Sequence, residues 1–299
     1  MNARAQFAVL PDRRRHFHDG PIDLILEASG APNAVAAAYD AAASRFATIL
    51  DELCAELPRL RTAVGPRPEG VVARRMADAV APFAAERFLT PMAAVAGAVA
   101  EEVLAAMTAA APLERAYVNN GGDIALHLSP EASFAIGMVA RPDRPALFGK
   151  ACLKGRDDER GVATSGWRGR SFSLGIADAV TVIAATAALA DAAATLIANA
   201  VDLPGHPAIF RAPARARDPQ SDLGDRPVTL AVGSLSGAEI ANALGRGADE
   251  ARHWLDLGLI GAAALRLGGR TRLVGASPGR YKPERPAPAL AMEPRHAVG

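Results

Sequence analysis

The pattern of apolar and polar positions gives the chain a helical front and a strand-rich middle. Residues 22–30, IDLILEASG, alternate as a strand does, and Asn33 reads as the N-cap of a long helix carrying Val35, Tyr39, Phe46, Ile49, Leu50 and Leu53. Pro58 is expected to kink or end that helix. A second helix is expected near 70–86, and Thr90 followed by Pro91 marks the start of a third that runs to Ala110.

The period then shortens. AYVNNGGDIALHL at 116–128 places apolar runs on either side of an Asn-Asn-Gly-Gly turn signal, and SFAIGMVA at 133–140 continues with period two. ARPDRPALFGK reads as loop, KACLKG as strand and RDDERG as a polar connection. GVATSG, SFSLG and AVTVIA are strand candidates, with the polar WRGRS between the first two and an Ala-rich helix at 186–201 after the last. From Pro204 to the Pro at 227 the chain reads as an irregular excursion, followed by the strand PVTLAVGSL. Residues 236–257 are predicted helical, with a break near Gly245 to Gly247, and AAALRLGGRTRLVGA predicts a closing hairpin around Gly268-Gly269. A Pro-rich tail from Ser277 is expected to be disordered, which leaves residues 1–276 as one domain. Strands in runs, without regular β-α-β alternation, predict an α+β fold.

Composition narrows the function classes. With 33 Lys and Arg against 32 Asp and Glu, nothing electrostatic calls for nucleic acid or an acidic membrane surface, so the expected ligand is small. The stretches at 93–112 and 182–201 are apolar, but the first holds Glu101 and Glu102 and the second Asp191, which predicts buried core helices and not membrane spans. The first twenty residues carry no apolar stretch of the roughly 7–15 residues that a secretory signal needs, and a cytoplasmic location is expected. Cys54 and Cys152 form no metal spacing and read as reduced thiols. No GxGxxG follows a strand, and GxxxxGK[ST] and GxSxG are absent, so Rossmann, P-loop and serine-hydrolase readings have no support.

Asp191 stands in AALADAAATLIANAV, where an unpaired carboxylate costs several kcal/mol, and the four-residue spacing puts Thr195 on the same helix face. A carboxylate and a hydroxyl, completed by carbonyls and water, suit a hard cation such as magnesium. The alternative is that Thr195 bonds back to the Asp191 carbonyl while Asp191 meets an arginine or caps a neighbouring backbone. GVATSGWRGRS joins Thr164, Ser165 and Gly166 to Trp167, Arg168 and Arg170: turn amides and arginines for a phosphate or ring carbonyl, or else an ordinary connection with solvated arginines. NNGGD at 119–123 offers Asn120, Gly121, Gly122 and Asp123, either as a bare tight turn or as a turn that a ring or phosphate approaches closely. His16 and His18 alternate on a strand-like segment without a third ligand, Arg13 to Arg15 read as a solvated run, and Trp254 with Leu257 reads as core.

Taken in order, NNGGDI, FAIGMV, GVATSG, VTVIA and ADAAAT resemble the ApbE-like superfamily, whose best-known members are the FAD:protein FMN transferases. The resemblance covers roughly residues 20–275 and is strongest to an uncharacterised cytoplasmic branch. It implies a two-lobed fold with mixed sheets packed on helices, and a Mg²⁺ site on Asp191 and Thr195. It also implies a flavin nucleotide (FAD or FMN) between the lobes, with Asn120, Gly121, Gly122, Asp123, Thr164, Ser165 and Gly166 lining the pocket. Arg168 and Arg170 would contact phosphate. In the transferases the FMN moiety passes to a Ser or Thr hydroxyl of an acceptor protein. A cofactor carrier or sensor without catalysis, or a scaffold with a vestigial pocket, is the alternative, and a homodimer is left open. The chain departs from the family pattern twice. TPMAAVAGAVAEE at 90–102 lacks the Lys and Asp of a Lys-Gly-x-x-x-Asp phrase, and SFSLGIADA replaces a His-x-x-x-Pro-x-Thr-Gly loop, leaving Asp178 as the acid there and the candidate catalytic carboxylate.

Overall fold

The structure is a computed structural model that describes residues 4–139 and 147–275 and the backbone of Tyr281–Pro283. Strands β1 (Gln6–Val9), β2 (Arg15–Asp19) and β3 (Ile22–Ser29) precede the helices α1 (Pro32–Ala55), α2 (Leu57–Leu60) and α3 (Val71–Ala84). A single 3-10 turn, Pro91–Ala94, leads into α4 (Val95–Ala110). Then follow β4 (Arg115–Asn120), β5 (Asp123–Leu128), β6 (Ser133–Val139), β7 (Leu147–Lys154), β8 (Gly161–Ser165), β9 (Ala179–Ala184) and α5 (Ala187–Ala200). The chain continues through β10 (Ile209–Pro213), β11 (Pro227–Val232), α6 (Gly237–Asp256), β12 (Ala262–Leu267), β13 (Arg270–Val274) and β14 (Tyr281–Pro283).

Nine strands form one antiparallel sheet in the order β1-β2-β3-β4-β5-β8-β9-β12-β13. Between β5 and β8 the chain leaves to build part of a second sheet, β14-β7-β6, and between β9 and β12 it builds α5, the β10-β11 pair and α6. The fold is therefore α+β, as the runs of strands predict. Pleating explains how one sheet serves two cores. In β9, AVTVIA, the residues Val180, Val182 and Ala184 join the helical core, while Ile183 points the other way into a cluster with Leu153 and Ala151 of β7. Buried on both faces, this strand carries almost no polar residue; its Thr181 is the exception, hydrogen-bonded to Thr164.

The helical layer is packed through small residues. A Cβ on Gly97 of α4 would collide with the carbonyl of Ala187 at the start of α5, so only glycine permits the two helices to approach this closely. The stretch Pro91–Ala110 is long and apolar enough to cross a membrane, but here Ala98, Val99, Val103 and Met107 lie in the core against the sheet and neighbouring helices.

The structure revises several expectations. Pro32 occupies the first position of α1 with Ala31 before it, and Asn33 caps nothing. SFSLG is not a strand: the Leu174 N–H and the Ser173 hydroxyl bond to Asn199 of α5, and one backbone bond, from the Thr229 N–H of β11 to the Ser173 carbonyl, ties it to a strand. The excursion after Pro204 contains β10, paired with β11. Helix α6 runs unbroken through Gly247, whose missing side chain makes room for Val201 and Leu265. Trp254 is core but Leu257 is 55% exposed, because α6 ends at Asp256. The stretch expected as loop before β7 ends earlier, at Leu147; its residues 140–146 lie outside the described ones, as does the tail except for Tyr281–Pro283, which pairs with β7. Arg15 lies within β2, over the Tyr39 ring, and is not solvated as part of a run.

Candidate functional site

Helix α5 buries nearly every residue except Asp191, Thr195 and Asn199, which the four-residue spacing lines up on one face. Asp191 Oδ2 accepts from the Gly97 N–H at 3.1 Å, and the Ala96 N–H adds a second backbone contact. The carboxylate thus sits at the first turn of α4, where the helix dipole favours it. Of the alternatives for Asp191, backbone capping is the one realised, and no arginine meets it among the described residues. Thr195 does not bond back to the Asp191 carbonyl, and its hydroxyl makes no hydrogen bond to a described residue.

The second carboxylate comes from the other side. Asp123 opens β5 with the same pleat parity as the core residue Ala125, and its Oδ1 accepts from the Thr164 N–H at 3.1 Å. Burial pushes Asp123 up to about 7, against which the Thr164 N–H and the charge of Arg170 act only in part. Asp191 is pushed well above the usual carboxylate range, first by burial and then by the charge of Asp123. Both residues are half-buried, so the two acids reach solvent and are not sealed in the core.

The turn between β4 and β5 is shaped for close approach. Gly121 and Gly122 have φ of 67° and 118°, conformations that L side chains resist, and the Gly122 N–H is held by Asn119 Oδ1 at 2.8 Å. Asn120 turns inward and donates from Nδ2 to the Ala96 carbonyl at 3.2 Å, tying the turn to the start of α4. Arg170 lies over Gly121, where a Cβ would strike its guanidinium, and it is exposed without a hydrogen bond or ion pair to a described residue.

The structure therefore brings together Asn120, Gly121, Gly122, Asp123, Arg170 and Asp191. Others are placed differently. Thr164 contributes its backbone N–H, while its hydroxyl meets Thr181 at 2.9 Å on the far face of the sheet. Ser165 has the pleat parity of Ala163 and so faces the helical side. Gly166 packs against the Asp178 backbone, where no side chain fits. Arg168 stacks on Trp167 at 4.3 Å and donates to Asp178 Oδ1 at 2.8 Å, and Asp178 Oδ2 takes the Gly268 N–H at 2.8 Å. Asp178 and Arg168 thus close on each other and on the β12–β13 turn. His16 and His18 share Asp23 on the β2–β3 ladder, at 3.1 and 3.3 Å. The Ala96-Gly97 backbone is the part of the site that sequence reasoning missed; a glycine inside a helical pattern, with a packing reason, was its signal.

Among the described residues no group of three His, Cys, Asp or Glu side chains could hold a metal. A cation here would rest on Asp123, Asp191 and neutral oxygens, Thr195 Oγ1 and Asn120 Oδ1 being candidates. That all-oxygen set, with Asp123 raising the proton affinity of Asp191 and no cation paired to Asp191 among the described residues, fits a hard divalent ion.

Among known proteins, the chain is 40% identical to a UPF0280 protein of Methanopyrus kandleri over 157 residues, 50% of this chain and 59% of that one. A UPF0280 protein of Methanosarcina acetivorans is 40% identical over 114 residues, 38% of this chain and 44% of that one. The chain spans about half the length of the curated relatives it matches. Among solved structures, the apo form of the Pseudomonas stutzeri flavinyl transferase ApbE aligns with a TM-score of 0.43 and 13% identity over 92% of this chain and 96% of that one, a likeness too low to carry an argument. The family described as AbpE bacteria matches residues 7–273, nearly the whole described chain, and the protein belongs to this ApbE-like family.

Proposed function

We propose that the recess between Asp123 and Asp191 binds a flavin nucleotide together with Mg²⁺ and transfers its FMN moiety to a protein hydroxyl. The observation that carries this reading is the pair of half-buried, facing carboxyl groups, both with raised proton affinity, beside an open glycine turn. Two acids that repel each other at the foot of a recess are stabilised by a cation, and a cation draws a phosphorylated ligand. The bound ion would supply charge neutralisation at a pyrophosphate.

This chain's own residues do the rest. Asp123 and Asp191 hold the cation, Gly121 and Gly122 let the ligand approach the backbone, and Arg170 reaches over the turn as a free cation for phosphate. In the transfer the acceptor oxygen bonds to the FMN phosphorus, the pyrophosphate bond breaks, AMP leaves and the hydroxyl proton goes to a base. Purified protein incubated with FAD, Mg²⁺ and a Ser- or Thr-bearing acceptor should release AMP in step with flavin attached to the acceptor. Absence of both flavin binding and AMP release would sink the reading.

A second reading, a carrier that binds flavin without transferring it, is favoured by one observation. Asp178 is engaged by Arg168 and Gly268 and is not free to act as a base. Tight yellow binding without AMP release would select it.

A further inference from the structure

We propose that a second cleft, of about 460 Å³ between the starts of α3 and α5, binds a small phosphorylated molecule through Arg67, Arg74 and Arg75. The first ground is an electrostatic conflict in the sequence of α3. VVARR puts Arg74 and Arg75 close to the positive end of the helix, which carries no acid in its first turn and no side-chain cap. Glu56 takes the Glu69 and Gly70 N–H groups just before the helix, but no side chain accepts from those of Val71, Val72 and Ala73. The Glu56 carboxylate answers part of the positive helix end, and the first-turn N–H groups beside two arginines leave room there for a second anion.

The second ground is the set of guanidinium donors left open. Glu101 and Glu102 hold Arg75 by Nη1 and Nη2 at 2.9 and 3.0 Å, which fixes the group beside the cleft; its enclosed Nε is out of a ligand's reach, so the open donors are chiefly those of Arg74. Arg74 bonds only to the Glu69 carbonyl among described residues, so most of its fork is open. Arg67 pairs with Asp78 at 2.8 Å, with both side chains mostly exposed, and so solvated a pair is weak and yields readily to a phosphate. The acids nearby answer the charge of Arg67 and Arg75 but leave that of Arg74, which pairs with no acid among the described residues. Glu101 is engaged by Arg75 and the Ala188 N–H, and Glu102 by Arg45 and Arg75.

The third ground is shape. Val71, 46% exposed, and Leu189 give the cleft an apolar side against which the body of a ligand can lie, and the volume is within the range of small-molecule sites. Open forked donors beside an apolar wall recognise a phosphate ester or diphosphate better than a bare halide or a metal.

The site does not rest on the flavin reading, and one experiment separates the two. Inorganic pyrophosphate is titrated into full-length protein in EDTA, without Mg²⁺, by calorimetry and by thermal shift at constant ionic strength. Saturable binding is expected for the wild type and unchanged for Arg170→Ala and Asp191→Asn. Arg74→Ala should weaken it about tenfold and Arg67→Ala by a smaller factor, as expected when charge-assisted hydrogen bonds are lost. Arg74→Gln, which retains the length and helix propensity of the side chain, guards against a folding artefact and should weaken binding as Arg74→Ala does. Non-saturable binding, an equal shift with matched chloride, or a loss in Arg170→Ala with none in Arg74→Ala would each overturn the proposal.

Discussion

Two acids at one helix crossing show what marks a site. Asp191 of α5 takes the Gly97 N–H of α4, and Glu101 of α4 takes the Ala188 N–H of α5, so each helix start is capped by an acid from the other helix. The local role is the same, but the surroundings differ. Glu101 is also held by Arg75 at 2.9 Å, and its charge is answered within the protein. Asp191 has no such cation among the described residues and faces Asp123, which raises its proton affinity further. A capped and paired acid reads as structural, whereas a capped and opposed acid is the feature on which the proposed cation site rests.

The sharpest way to break this contrast is to neutralise the opposed acid. Asp191→Asn keeps an oxygen for the Gly97 N–H and removes the charge. It is expected to weaken Mg²⁺ binding by more than about 100-fold, since a ligand to the metal is lost. It should leave the metal-free melting temperature unchanged or higher, because the repulsion from Asp123 disappears. Thermal shift with and without Mg²⁺ reads both effects, and a retained Mg²⁺ shift would mean that Asp191 is only a cap. Next in size is the crossing itself. Gly97→Ala forces a Cβ into the Ala187 carbonyl, a backbone atom that cannot swing aside, and should cost about 2 kcal/mol in denaturant unfolding while disturbing both caps.

Much of this was legible in the residues. The β4–β5 hairpin, β8, β9 and α5 follow from period-two and Ala-rich patterns, and the Asp191–Thr195 face follows from spacing. What the sequence does not carry is partnership between distant segments. That Asp123 and Asp191 oppose each other depends on β5 and α5 meeting across the sheet, and no local window contains both. The same limit explains SFSLG, whose alternation is that of a strand but whose Ser173 hydroxyl and Leu174 N–H are claimed by Asn199, and Gly247, a residue that breaks helices in isolation but makes room for Val201 and Leu265. Asp178 was legible as an acid; its closure by Arg168 and the Gly268 N–H was not.

Proton competition sharpens the contrast further. Asp123 titrates at about 7 in the folded chain, above its value when unfolded, so its contribution to metal-free stability is full at acid pH and is lost as pH rises through about 7. A cation must displace that proton. The apparent Mg²⁺ affinity should therefore rise with pH through about 7, and the raised proton affinity of Asp191 should extend that rise to higher pH. Calorimetric titrations at pH 6, 7 and 8 check this, and a flat profile would show that the ion does not meet Asp123.

The smallest effect belongs to the paired acid, and it is the control that gives the others meaning. Glu101→Gln keeps an oxygen for the Ala188 N–H but weakens the bond to Arg75, whose guanidinium is still held by Glu102. Because that second partner remains and Arg75 is partly exposed, the loss should be only about 1 kcal/mol in unfolding free energy, and less in high salt. Mg²⁺ binding should be unchanged, since Glu101 carries a charge that the protein itself neutralises. If Glu101→Gln lowered Mg²⁺ affinity as Asp191→Asn does, the two caps would be one coupled unit. The distinction between an answered and an unanswered carboxylate would then fail at this crossing.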